Sequence, residues 1–274
     1  MRRPKLACCN FLPAIDELKT FALELGFGGV EWSFERDEVP RSAEQRQALG
    51  AMLARLAPLE IRYHCAFQHA EFGDVDGERA KEAMRLLRRT CRVVAELGGR
   101  VVTIHVGRGL DTTHGLSWER TLDALAHLHR FAAGLGLELC LENLAWGWTS
   151  RPELFEKLLR KGGPFATLDI GHALVSPSIT SRHFDLEDFT APHPERFLNA
   201  HIYHAEDERG HVAPETVEEI AGRLDLLLEL PRCDWWVLEL RERAPLIQTL
   251  GVVRGYLERR GIVPRAAGEE HSAL

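Results

Sequence analysis

Seven side chains able to move a proton or hold a cation recur along this chain at the spacing of one supersecondary unit. They are Glu31, His64, His105, Glu142, Asp169, His201 and Glu239, separated by 33, 41, 37, 27, 32 and 38 residues. Each lies at or near the end of a short apolar run. In Phe165-Ala-Thr-Leu-Asp-Ile-Gly-His172 a carboxylate ends the run and an imidazole follows three residues later. Singly, each has an ordinary explanation: Asp169 as the cap of a turn that Gly171 helps, a His satisfied by a carbonyl, a Glu paired with an Arg. Seven in register are another matter, because ionised groups are seldom buried unless paired or metal-bound. Carboxylates and imidazoles without thiolates suit a divalent Mn, Zn, Fe or Co ion and do not choose among them.

The elements that must position these residues are eight apolar runs, at 6–11, 29–34, 61–67, 101–106, 137–144, 165–170, 197–203 and 235–240. Helical patterns separate them. One spans 15–25 and stops at Gly26, a C-cap glycine. Ser42-Ala-Glu-Gln45 has the form of a capping box opening a helix that Pro58 terminates. From Asp76, the residues Ala80, Met84, Leu87, Cys91 and Val94 keep an apolar stripe until Gly98. Ser117 caps the next helix, and Ser150-Arg-Pro-Glu153 opens another with proline in its first turn. A polar stretch at 176–194 holds at most a short helix near Leu186, and helices over 216–230 and 245–260 complete the series. Strands apolar on both faces and covered by helices, eight in number, predict an α/β fold with a single closed (β/α)8 TIM barrel over 1–263. The remainder, 264–274, has little to bury and is expected to be disordered. A barrel would bring all seven ionisable residues to the mouth at the C-terminal ends of its strands.

Composition narrows the classes. With 274 residues and 45% hydrophobic content the chain can bury a full core. A net charge of −7, with basic residues clustered no further than pairs such as Arg88-Arg89, speaks against a nucleic-acid partner. No apolar stretch is long enough for a membrane span. The six cysteines contain no C-x-x-C pair and read as buried thiols, which points to the cytoplasm.

The motifs His64-Cys-Ala-Phe67, Thr103-Ile-His-Val-Gly107, Leu141-Glu-Asn143, Leu168-Asp-Ile-Gly-His172, His201-Ile-Tyr-His204 and Leu238-Glu-Leu240 fall in order along the chain. In this they resemble the successive strand motifs of the xylose isomerase-like barrel superfamily, which holds sugar and sugar-phosphate isomerases and epimerases and also apurinic-site endonucleases. In its isomerase and epimerase branch the resemblance implies that Glu142, Asp169, His201 and Glu239 hold one divalent ion. Glu142 and Glu239 would then exchange a proton with the carbon beside a carbonyl, and His172 would orient a substrate oxygen. Arg209, His64 and His105 are the further substrate contacts this branch implies; Phe11, Trp32, Trp146 and Trp148 follow strand ends, where they suit either an apolar wall against a sugar ring or plain packing of the barrel top.

The endonuclease branch implies more metal. There His64, His105 and Glu142 would hold a second zinc, and His172 with an Asp-x-His after strand seven a third. His211 matches that last His, but Arg209 stands where the Asp belongs, with Asp207 near enough to substitute. Arg209 and the acidic charge favour a small sugar, sugar phosphate or related polyol or keto compound as substrate over a phosphodiester. Barrels of this kind pair through outer helices or loops, so a homo-oligomer is compatible with the sequence.

Overall fold

The computed structural model describes residues 3–110 and 112–269. Eight parallel strands close into a barrel. They are β1 (Lys5–Cys9), β2 (Gly29–Phe34), β3 (Glu60–Cys65), β4 (Val101–Ile104), β5 (Glu138–Glu142), β6 (Phe165–Asp169), β7 (Phe197–Ile202) and β10 (Trp235–Leu238), and β10 hydrogen-bonds to both β7 and β1. All eight apolar runs are therefore barrel strands. Their hydrogen-bonded ladders end one or two residues before most of the runs do, so His105 and Glu239 stand just past a strand end rather than inside it.

The helices that cover the barrel are α1 (Ile15–Glu24), α2 (Ala43–Ala54), α3 (Gly77–Glu96), α4 (Trp118–Gly134), α5 (Pro152–Gly162), α6 (Ile170–Val175), α7 (Pro177–Thr180), α8 (Ala221–Glu229) and α9 (Arg243–Arg259). Their starts follow from local chemistry. Ser42 and Gln45 form the reciprocal capping box, and Asp76 and Ser117 each accept the amides of the turn they open. Ser150 does not cap α5, because its hydroxyl donates to the Gly147 carbonyl at 3.0 Å and leaves Arg151 as the uncapped N-cap. The helix expected from 216 starts only at Ala221, after a turn in which the Val217 carbonyl takes the amides of Ile220 and Ala221. Two strands not anticipated from the sequence, β8 (Ala205–Asp207) and β9 (Gly210–Val212), form an antiparallel hairpin over the mouth side of β7. Among the described residues no helix is long and apolar enough to cross a membrane. All six cysteines are free and buried, as the sequence suggested.

Inside the barrel the layer beneath the mouth is polar. Thr103 and Thr167 hydroxyls lie 2.9 Å apart, Asn199 Nδ2 donates to both, and Arg62 donates to the Asn199 side-chain oxygen. Below this, Arg62 and Arg265 both pair with buried Asp234, and Lys5 pairs with Glu60 at 2.7 Å. The stretch 264–269, expected to be disordered, is instead seated here: Arg265 donates its amide to Pro4 and its guanidinium to Asp234. Its charge, rather than apolar surface, anchors it. Residues 270–274, His271 among them, lie outside the described residues.

Gly29 opens β2 against the Trp235 ring. A Cβ there would come within 2.2 Å of the Trp235 ring and 2.7 Å of the Glu60 carbonyl oxygen. The backbone cannot retreat, since Gly29 is paired with both Ala7 and Glu60. Gly29→Ala is expected to lower stability by about 1–3 kcal/mol through overpacking, read as a fall in the thermal or urea midpoint. An unchanged midpoint would show that the Trp235 side chain can move aside.

Candidate metal centre

The barrel assembles one ionisable cluster at its mouth from residues distant in sequence. Glu31, His64, His105, Glu142, Asp169, His201 and Glu239 are all buried, and none exceeds 8% exposure. At the centre stands His201 on β7. Its Nδ1 lies 3.0 Å from Glu239, 3.3 Å from Glu142 and 3.9 Å from Asp169, and its Nε2 lies 2.8 Å from Glu31. Glu142, Asp169, His201 and Glu239 thus offer four donor atoms within 4.8 Å of one another.

Two further groups flank this one. The Nε2 atoms of His64 and His105 face each other at 3.1 Å, with Glu142 Oε2 at 3.5 and 3.3 Å, so Glu142 is shared. On the other side His172, Glu206 and His211 converge, with His172 Nε2 3.3 Å from Glu206. Glu206 was not anticipated. The antiparallel pairing of β8 with β9 sets it directly across from His211. Its signal was the Glu208-Arg209-Gly210 turn, which implies that register. The expected substitute, Asp207, is exposed and accepts the Arg209 amide at 2.7 Å, and Arg209 itself is exposed at the hairpin turn.

Asp169 is both things its sequence context allowed. Oδ1 caps α6 by accepting the amides of Gly171 and His172 at 2.9 and 2.7 Å, while Oδ2 turns toward His201 and accepts the Tyr203 hydroxyl at 3.0 Å. Asn143 locks this arrangement, donating to the Asp169 carbonyl and accepting the Asp169 amide. Gly171 is required for it, because a Cβ there would lie 2.0 Å from the Tyr203 ring. Neither Asn143 nor Tyr203 stood out in the sequence as more than part of a motif. His204 turns away, its Nδ1 taking a hydrogen bond from Arg223 at 3.2 Å.

The aromatic candidates divide. Phe11 packs edge-on against Phe21, and Trp148 against Trp118, so both belong to the barrel's packing. Trp146 lies over Gly107 in the loop after β4, and half-buried Trp32 follows Glu31 on β2.

Electrostatics show what this cluster demands. Burial pushes Glu142 and Glu239 up, but the imidazoles around them outweigh it and hold both well below the carboxylate range. Burial alone would neutralise His201, yet Glu142, Glu31 and Glu239 hold it protonated, well above the usual imidazole value. Asp169 is pushed up to about 6 by burial and by Glu142 and Glu239, against the pull of His172. His172, despite burial, is held at about 10 by Asp169, Glu206 and Glu142. His64 and His105 are lowered by burial and stay neutral, the form that binds metal. Both Glu142 oxygens are buried without a hydrogen-bond donor. The donor set fits a divalent cation, for which the His201 proton is a stand-in.

A closed eight-stranded parallel barrel with helices outside it and ionisable residues gathered at the C-terminal ends of its strands is a TIM barrel. The chain belongs to the xylose isomerase-like TIM barrel family, whose profile matches residues 20–223. An uncharacterised protein of Methanocaldococcus jannaschii, MJ0008, is 26% identical over 192 residues, 69% of this chain and 79% of that one. Among solved structures, Escherichia coli 3-keto-D-glucoside 4-epimerase, YcjR, superposes with a TM-score of 0.70 at 17% identity, covering 93% of this chain and 100% of that one. Endonuclease IV from Thermus thermophilus superposes with a TM-score of 0.66 at 20% identity, covering 93% and 100%. These likenesses carry the fold.

Glu71, in the loop after β3, is buried beside the loop that follows His105. Burial pushes its carboxyl up to about 7, against the pull of the Gly107 and Arg108 amides. The folded state therefore holds a proton that the unfolded chain releases near pH 4.5. Stability from this group is full below about pH 4.5 and declines as pH rises to about 7, by on the order of 3 kcal/mol. Urea unfolding of Glu71→Gln across that window should show a flatter pH dependence than the parent; parallel curves would remove Glu71 as the cause.

Proposed function

We propose that this chain is a divalent-metal-dependent isomerase or epimerase of a small sugar, sugar phosphate or related polyol or keto compound, working by proton transfer at the carbon beside a carbonyl. The observation that best supports this is the pair of buried glutamates Glu142 and Glu239, both within 3.3 Å of His201 Nδ1. Two bases converging on one point can take a proton from one face of a carbon and return it to the same or the other. Glu142, Asp169, His201 and Glu239 would hold the ion, which when bound would polarise the carbonyl and its neighbouring hydroxyl. His172, protonated by its carboxylate neighbours, is a donor to a substrate oxygen. Neutral His64 and His105 serve as contacts to hydroxyl groups, and Trp146 as an apolar wall for the carbon skeleton, whereas Trp32, between inward-facing Glu31 and Ser33, turns to the helix side of β2. Arg209, exposed at the β8–β9 turn, is the remaining candidate contact to substrate. The free buried thiols accord with a cytoplasmic enzyme, and the net charge of −7 accords with a small-molecule substrate. An epimerase among the structural neighbours agrees with this chemistry.

A second reading is a multi-zinc phosphodiesterase. It is favoured by the two flanking donor groups, His64–His105–Glu142 and His172–Glu206–His211, and by the neighbouring endonuclease fold.

Elemental analysis of the purified protein, with deuterium exchange from heavy water into a panel of ketoses and sugar phosphates, tests the first reading. One tightly held ion per chain and exchange lost on chelation are expected. Two or three zincs with hydrolysis of a phosphodiester and no exchange would overturn it. Glu142→Gln and Glu239→Gln should each lower exchange by about 10²–10⁴-fold, with metal content measured alongside to separate lost base from lost ligand. Unchanged turnover in both variants would remove the glutamates from the mechanism.

A further inference from the structure

The cluster's histidines are presented in two different ways. In four of them Nδ1 meets a neutral protein group, although His172 Nδ1 also lies 3.2 Å from Asp169 Oδ2. His64 Nδ1 meets the Ser33 hydroxyl at 3.3 Å, His105 Nδ1 the Cys65 carbonyl at 3.2 Å, His172 Nδ1 the Asn143 carbonyl at 3.1 Å, and His211 Nδ1 the Glu239 carbonyl. His201 is reversed. Its Nδ1 faces the Glu142, Asp169 and Glu239 carboxylates, and its Nε2 is met by a carboxylate, Glu31 Oε1, at 2.8 Å.

Glu31 reaches it across the barrel interior, since β2 and β7 are not neighbours in the sheet. It is fully buried, and among the described residues neither of its oxygens makes a hydrogen bond. Its close polar contacts are His201 and, at 3.8 Å, His64 Nδ1. The His201 contact is a charge pair lying off the straight N–H direction. An ionised carboxylate in such a place costs several kcal/mol unless something fixes it there. A carboxylate behind a metal-ligating imidazole fixes its tautomer and ring orientation and raises its basicity, and losing one costs about 10–100-fold in metal affinity.

We infer that Glu31 is a positioning residue for the central site: it holds the far nitrogen of His201, so that Nδ1 is the atom offered to the ion shared by Glu142, Asp169 and Glu239. This rests on the metal-dependent reading above. It also strengthens the central group, because the Nε2 of His201 is backed by a carboxylate at 2.8 Å. The competing role is that of a ligand, since Glu31, His64 and His201 also offer donor atoms within 4.8 Å of one another.

Titration of the metal-stripped full-length protein with Mn²⁺ and Zn²⁺ by calorimetry separates these roles. Glu31→Gln and the apolar Glu31→Leu should keep the number of ions bound and weaken the tightest by about 10–100-fold, with Glu31→Leu the weaker binder. The d–d spectrum of the Co²⁺-loaded protein should shift in both, while Ser33→Ala, which alters only the neutral contact to His64, should leave the tightest ion's affinity unchanged. Wild-type affinity in both Glu31 variants would overturn the inference. So would the loss of one whole equivalent with the remaining ions at wild-type affinity, which would make Glu31 a ligand. A His201→Ala control locates any failure. If it weakens binding and the Glu31 variants do not, only this inference fails; a wild-type protein that binds no divalent ion ends the metal-dependent reading as well.

Discussion

Four carboxylates lie within 3.9 Å of one buried imidazole, and the rest of the molecule is arranged around that crowding. At the effective dielectric of a protein, two like charges 4 Å apart repel by about 4 kcal/mol, so the group would fly apart on flexible loops. Strands prevent it. Asp169 and His201 are Cα partners in adjacent strands, and Glu142 is the partner of Thr167, two residues before Asp169. Closing the sheet removes the last freedom, because β10, which carries Glu239 just past its end, is bonded on both sides. The barrel therefore acts as a frame that keeps repelling groups together for a cation to bridge. Beneath them the Thr103–Thr167–Asn199–Arg62 network fills the barrel without presenting a bare apolar floor to the charges.

That frame was legible because it rests on simple periodicities. Apolar runs of strand length, separated by capped amphipathic helices, allow few arrangements, and the spacing of Glu31 through Glu239 placed one ionisable group at the end of each strand after the first. The runs misplaced only their own ends. Residues such as Val106, Leu144 and Leu240 stay buried after the hydrogen-bonded ladder has finished, because the outgoing loops fold over the mouth. An apolar run records burial, whereas a strand records pairing, and the two part company where a barrel's site is built.

What was not legible has a common cause. Glu206 enters the site through a hairpin of three-residue strands whose register depends on a turn rather than on hydrophobic pattern. The seating of 264–269 depends on Arg265 finding Asp234, a pairing between residues that no periodicity connects. Arg209 was expected at the substrate because of its place in the sequence, yet one register position in a hairpin decides whether a side chain faces the mouth or the solvent. Asp169 shows the same limit at the scale of one carboxylate. Sequence offered a cap or a ligand as alternatives, and the two oxygens divide the roles, one held by amides so that the other points in a fixed direction.

The two readings of the site share its four central ligands and differ in what balances the charge around them. Glu31, Glu142, Asp169 and Glu239 are buried and bring four negative charges. One divalent ion offsets two of these, and the charge of a protonated His172 is shared between Asp169 and Glu206. A further ion on the His172–Glu206–His211 group would have to displace the His172 proton, since a metal-binding imidazole is neutral. The proton and the outer ion are thus alternatives at one nitrogen. If His172 keeps its proton it is a donor, suited to holding a sugar oxygen while Glu142 and Glu239 work on the adjacent carbon. If it gives the proton up to a metal, the site becomes a cluster of cations suited to a phosphodiester. Asp169 and Glu206 flank His172, 3.2 Å from its Nδ1 and 3.3 Å from its Nε2, and raise it to about 10, so an outer ion would have to compete with a proton that both carboxylates favour.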